Sequence, residues 1–85
     1  MEIEFTRPFI KDYKKLPKSI QQNFDKKLSI LVQNMWHPSL RIKKVMAYKD
    51  VWEGSITMKY RFFFRMSENK CVLLRAGTHN ELLGN

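Results

Sequence analysis

Cysteine is nearly absent from this chain. A single residue, Cys71, stands among 85. No intrachain disulfide can close on it and no cysteine-rich zinc site can form, which suits a reducing compartment. Long apolar runs are missing too: nothing approaches the ~18 residues of a membrane span. The opening Met1-Glu2-Ile3-Glu4-Phe5 has neither a basic n-region nor an apolar h-region, so no signal peptide is expected. The expected location is therefore the cytoplasm, with no membrane partner. There is no internal repeat, linker or low-complexity segment, and residues 1–85 are read as a single domain. Acidic residues are also in short supply, 8 against 16 lysines and arginines, leaving a net charge of +8 and a pI near 9.9. So basic a balance on so short a chain favours a polyanionic partner, usually nucleic acid. A basic surface kept for solubility, or a partner protein with an acidic tail, are the plainer readings.

What is present alternates cleanly. Met1 to Phe5 reads as a short strand with Ile3 and Phe5 on one face. Thr6 is a suitable N-cap and Pro8 fits a first helical turn. Phe9, Ile10, Tyr13 and Leu16 fall at helical spacing, and Pro17 ends that helix and opens a second. There Ile20, Phe24, Leu28, Leu31, Val32 and Met35 form an apolar stripe, opposite a solvated side that includes Lys18, Lys26 and Lys27. His37-Pro38-Ser39 breaks the helix. Four strands are expected after it: Leu40–Val45, Val51–Met58, Tyr60–Met66 and Cys71–Gly77. Turns fall at Ala47–Asp50, Met58–Lys59 and Ser67–Lys70, and Thr78–Leu83 leaves the sheet in one helical turn. The fold class is α+β, in the order β-α-α-β-β-β-β. It is an antiparallel sheet with two helices packed on one face and the other face open to water. The first strand pairs at an edge or in the middle.

The informative strings are Tyr60-Arg61-Phe62-Phe63-Phe64-Arg65-Met66 and Leu73-Leu74-Arg75-Ala76-Gly77-Thr78-His79. Successive side chains of a strand point to opposite faces. Tyr60, Phe62, Phe64 and Met66 therefore share an apolar face, while Arg61, Phe63 and Arg65 share the other. Alternation groups Arg75 with Leu73 and Gly77. Two guanidinium groups around a ring make the second face the candidate working surface.

The run Asp50-Val51-Trp52-Glu53, Ile56 and Tyr60-Arg61-Phe62, then the hairpin turn and Leu74-Arg75-Ala76-Gly77-Thr78-His79-Asn80, resembles the RelE/ParE superfamily of toxin–antitoxin toxins. Tyr60-Arg61 is similar to the strand arginine of the RelE and YoeB branches. Gly77-Thr78-His79, with Leu83 four places on, is similar to the end of the YafQ branch. The resemblance implies a toxin that cleaves mRNA, typically on the ribosome. It also implies a cognate antitoxin that holds the toxin silent and through which operator DNA is bound. It implies no cofactor and no metal. One branch, the ParE type, poisons DNA gyrase instead, and fold alone does not choose between them.

Under that resemblance, RNA cleavage uses the substrate 2′-hydroxyl as nucleophile. It needs a proton acceptor, a cation for the phosphate and a donor for the 5′-leaving oxygen. Arg61 suits the phosphate, because its planar fork binds two oxygens and keeps its charge; pairing with Glu53 is the plainer reading. His79 suits proton transfer, since imidazole titrates near neutrality, although it can equally cap the last turn. Arg41, Lys43, Lys44, Arg65 and Arg75 are candidate RNA-binding cations. Phe63 either stacks on a base or lies half-buried in the sheet. Where RelE-type toxins carry lysines this chain has Glu53, Ser55 and Thr57, and the additional YafQ-type histidines and aspartate are missing. Glu53 can act as a base only if it shares a face with Arg61. A weakened toxin surviving as a binding module is the third reading.

Overall fold

Thr6 turns the first strand into the first helix. Its backbone is extended and its hydroxyl accepts the Phe9 amide, while that hydroxyl donates to the Leu73 carbonyl at 2.8 Å. The capping residue is thus also pinned to the sheet. The computed structural model describes residues 1–84. The chain runs β1 (Glu2–Phe5), α1 (Arg7–Lys15), α2 (Lys18–Gln33), a single 3-10 turn (Pro38–Leu40), β2 (Lys43–Lys44), β3 (Trp52–Ser55), β4 (Tyr60–Ser67), β5 (Lys70–Thr78) and α3 (His79–Leu83). Leu16 and Pro17 are both extended, which reverses the chain between α1 and α2. The Pro17 carbonyl then accepts the Ile20 and Gln21 amides and starts α2 without a side-chain cap.

The sheet order is β1-β5-β4-β3-β2. Strands β2 to β5 form the expected antiparallel meander. β1 takes an edge and runs parallel to β5, from Glu2 opposite Lys70 to Phe5 opposite Leu73. Phe9, Leu16, Phe24 and Leu31 of the helices meet Phe62, Phe64, Leu73 and Ala76 of the sheet in the main core. α1 and α2 therefore cover one face, as the apolar face of β4 requires. No helix among the described residues is long and apolar enough to cross a membrane.

Several local expectations are corrected. β2 is two residues rather than Leu40–Val45, because Leu40 is drawn into the 3-10 turn and Arg41 takes a left-handed conformation with φ 50°. His37 caps that turn, its Nδ1 accepting the Ser39 amide at 3.1 Å. β3 stops at Ser55 rather than Met58. The Thr57 hydroxyl accepts the Lys59 and Tyr60 amides and bends the chain there, leaving Met58 exposed. Val32 is exposed, while Ile30 packs against the core.

The larger corrections concern the second face. Between Phe63 and Phe64 the partner on β5 jumps from Arg75 to Leu73. Leu74 is the extra residue of this β-bulge. Leu73 therefore joins the main core, while Arg75 lies opposite Phe63 on the other face. That face is not fully open. Leu82 of α3 folds back onto Phe63, Val45 and Val51, with Leu74 and Leu83 against them, in a small second core.

Candidate functional site

The hairpin registers place the site in two cross-strand rows. Lys43, Glu53, Phe63 and Arg75 lie side by side across β2, β3, β4 and β5. The next row is Ser55, Arg61 and Gly77. Directly opposed residues of antiparallel strands share a face, so Glu53 and Arg61 are diagonal neighbours on the second face. Gly77 presents no side chain beside Arg61, and a Cβ there would meet Glu81 Oε1 at 3.0 Å. This lets α3 close against the end of β5.

Arg61 is not loose. Its Nε lies 3.3 Å from Glu53 Oε2. Its Nη1 donates to Ser55 Oγ at 3.3 Å, to the Tyr60 carbonyl at 3.2 Å and to the Thr57 carbonyl. Among the described residues its Nη2 makes no hydrogen bond to protein. The arginine side chain is 19% exposed, against 5% for Glu53. Burying a lone carboxylate costs several kcal/mol, and Arg61 together with Lys43, 3.9 Å away and mostly exposed, offsets that cost. Arg61 thus lies on the second face and pairs with Glu53, the plainer of its two readings.

His79 opens α3. Thr78 before it is the N-cap of a capping box, its hydroxyl accepting the Glu81 amide while Glu81 Oε1 accepts the Thr78 amide at 2.8 Å. Those bonds from Thr78 hold the Glu81 carboxyl below the usual range. The exposed imidazole stands between two shallow clefts. One, of about 360 Å³, is lined by Lys43, Lys44, Glu53, His79 and Leu83. The other, of about 260 Å³, runs along Met58, Lys59, Thr78, His79 and Asn80. Glu53 therefore links the two sequence-predicted groups: it holds Arg61 and shares a cleft with His79. Its place beside Arg61 followed from strand alternation once the β3–β4 register was known. Among the described residues no three of His, Cys, Asp or Glu gather to hold a metal ion.

The candidate cations are scattered. Lys43 borders the cleft from the Arg61 face; Lys44 pairs with Trp52 across β2–β3 and reaches the cleft rim. Arg41 sits outside β2, exposed, and does not line the cleft. Arg65 and Arg75 border a separate cleft of about 260 Å³ with Tyr48 and Phe63. Arg75 is tied to Asp12 of α1 at 2.6 Å, which raises its pKa further. Phe63 is a correction: it is 4% exposed beneath Tyr48 and Leu82, so its ring faces cannot stack on a base.

A five-stranded sheet with a helical hairpin on one face and a short closing helix on the other is the architecture of RelE/YafQ-like toxins. YafQ from E. coli strain BL21(DE3) superposes with a TM-score of 0.84 at 17% identity, over 98% of each chain. The YoeB/ParE toxin from Agrobacterium tumefaciens gives 0.78 at 14%, over 93% of this chain and 99% of that one. The RelB–RelE antitoxin–toxin complex from Methanococcus jannaschii gives 0.73 at 18%, over 95% of each. The family model of the ParE toxin of the type II toxin–antitoxin system parDE matches residues 3–83. The chain belongs to that family of type II toxins. Among curated proteins, none matches the sequence.

Proposed function

We propose that this chain is a toxin that cleaves mRNA through the substrate 2′-hydroxyl and so arrests translation, and that a cognate antitoxin silences it. The observation that carries the reading is Glu53, paired with Arg61 on the second sheet face and sharing with His79 a cleft that Lys43 and Lys44 also line. Arg61 neutralises the extra charge on the phosphorane, presenting the Nη2 edge that binds no protein group. A fixed guanidinium loses little rotamer entropy when it takes up a phosphate. His79, exposed at the start of α3, transfers a proton at the reacting oxygens. Lys43 and Lys44 bind flanking phosphates. An acidic antitoxin segment is drawn to the same face by the net charge of +8 and by the cleft. Operator DNA is reached through that antitoxin.

Gyrase binding of the ParE type is the second reading. It is favoured by the family match over residues 3–83 and by the ion pair that commits Arg61 to Glu53. Two assays on the purified toxin separate the readings: primer extension on mRNA from programmed ribosomes, and DNA supercoiling by gyrase. The ribonuclease reading expects new 5′ ends, lost in Arg61→Ala and sharply reduced in His79→Ala, with supercoiling untouched. Intact mRNA with blocked supercoiling would overturn it.

A further inference from the structure

Trp36 leaves most of a large ring in water. It is 62% exposed, and the chemistry proposed above makes no use of it. Its backbone is nonetheless held on both sides. The Trp36 amide donates to Asn34 Oδ1 at 3.0 Å, and the His37 amide donates to the Asn34 carbonyl at 3.1 Å. His37 then caps the 3-10 turn, whose Ser39 carbonyl accepts Lys27 Nζ at 2.8 Å. The ring itself meets Trp52 at 5.6 Å, with 82° between the two planes. In such an edge-to-face pair the partner covers at most one face of a ring. A face of Trp36 therefore stays free of Trp52, on a mount that is already fixed.

The surroundings decide what that face suits. Trp52 lies opposite Lys44 across β2–β3, so these two side chains share a face. Lys44 also lines the cleft of Glu53 and His79. The indole pair is thus joined to the cleft through Lys44, over an edge strand only two residues long. From Asn34 to Lys49 the chain has four lysines and arginines and no aspartate or glutamate. Single-stranded RNA employs both features, its phosphates on the cations and a base on the ring. We propose that Trp36 is the stacking platform for one nucleobase of the substrate strand, next to the cleaved bond on the side where that strand crosses β2 past Lys44. This rests on the ribonuclease reading above. The loop is ordered before the RNA arrives, so stacking costs little conformational freedom. Every base has a flat face, so the platform adds affinity and register without choosing a sequence.

The test is cleavage of mRNA on programmed ribosomes at sub-saturating toxin, where binding of the substrate strand counts. Trp36→Leu, which keeps an apolar side chain but has no ring, should cleave roughly 5–150-fold more slowly, while Trp36→Phe should keep most of the rate. The mRNA is then given a single abasic nucleotide at each position flanking the cleaved bond in turn. At one position the wild type should slow as much as Trp36→Leu does on intact mRNA, and Trp36→Leu should be indifferent to the missing base. If leucine at 36 lowers the melting temperature below that of the assay, the wild-type chain carries the test. An mRNA with a 2′-O-methyl group at the cleaved ribose and 5-bromouracil at the abasic-sensitive position should then cross-link to Trp36 under ultraviolet light. Trp36→Leu cleaving at the wild-type rate, losses that simply add at every flanking position, or a cross-link that avoids Trp36 would overturn the platform. A Trp36→Leu chain that cleaves normally but no longer retains its antitoxin would overturn it in favour of a protein contact. In each of those cases wild-type cleavage persists and the ribonuclease reading survives, whereas a wild type that leaves RNA whole ends both.

Discussion

Replacing Gly54 with alanine adds one methyl group to β3, and two opposing effects decide the sign. Glycine in a strand is worse than alanine by roughly 0.5–1 kcal/mol, because it loses more backbone freedom on folding. On that ground Gly54→Ala should stabilise the chain. The neighbouring ring argues otherwise. Gly54 lies directly opposite Phe62, and a Cβ would stand 2.2 Å from Phe62 Cζ, 2.5 Å from Cε1 and 2.9 Å from Cε2. Ordinary carbon contacts lie at about 3.5–4.0 Å, so the ring must retreat by more than an ångström. It has nowhere to go: it is fully buried, edge-on to Phe24 at 5.4 Å and stacked on Phe64 at 5.7 Å. Overpacking of this kind costs about 1–3 kcal/mol. With a clash this deep the cost lies toward the upper end, about 2–3 kcal/mol; after the backbone gain the net loss is about 1–2.5 kcal/mol, which for a domain of this size lowers the melting temperature by roughly 5–20 °C. Thermal unfolding followed by circular dichroism reads this directly. Phe62→Leu removes the clashing atoms, so the double variant should lose less than the sum of the singles, with a coupling on the order of 0.5–3 kcal/mol. A Gly54→Ala chain that melts at or above the wild type, or strictly additive losses, would refute the account of why glycine stands there.

Three further outcomes follow from the geometry. Asp12 accepts the Ala76 amide at 3.0 Å, past the point where β1 stops covering β5. Asp12→Ala orphans that amide and should cost about 1–3 kcal/mol in urea unfolding, whereas Asp12→Asn, which can still accept it, should cost less than half as much. Burial pushes the Cys71 thiol up to about 11 from 9.0. Iodoacetamide at pH 8 should therefore label it only after unfolding, and native labelling as fast as that in urea would count against its burial. The neutral thiol's contribution to stability is complete below pH 9.0 and is lost as pH rises toward about 11. Glu81 is held below the ordinary carboxyl range by the bonds from Thr78. Its support of α3 is present above that range and fades as pH falls through the lowered value. The Thr78 amide shift in NMR should follow that titration and cease to do so in Glu81→Gln.

The local signals were the legible ones. The Thr6 cap, the proline at the start of α1, the Leu16-Pro17 reversal and the alternation along β4 are written in adjacent residues, and each fixes its element. From these alone the helical hairpin, the meander and the division of β4 into an apolar and a basic face could be drawn. What the chain conceals lies between distant residues. The bulge at Leu74 has no glycine or proline to announce it, yet it decides the face of Arg75. The bond from Arg75 to Asp12 spans 63 positions. Leu82, in a helix too short to show periodicity, buries Phe63 and removes it from the working surface. Arg61 and Glu53 are eight residues apart along the chain, and only the register of β3 on β4 makes them a pair.

The parallel pairing of β1 with β5 also sets an order of assembly. β1 and the α1–α2 hairpin leave the ribosome first, at ~5–20 residues per second, but the strand that completes them starts at Lys70. Until it emerges, the apolar side of the hairpin has little sheet to cover. His79 likewise reaches the cleft it shares with Glu53 only when β5 has joined β4 and α3 has formed after it. The toxin fold is therefore incomplete for most of its synthesis.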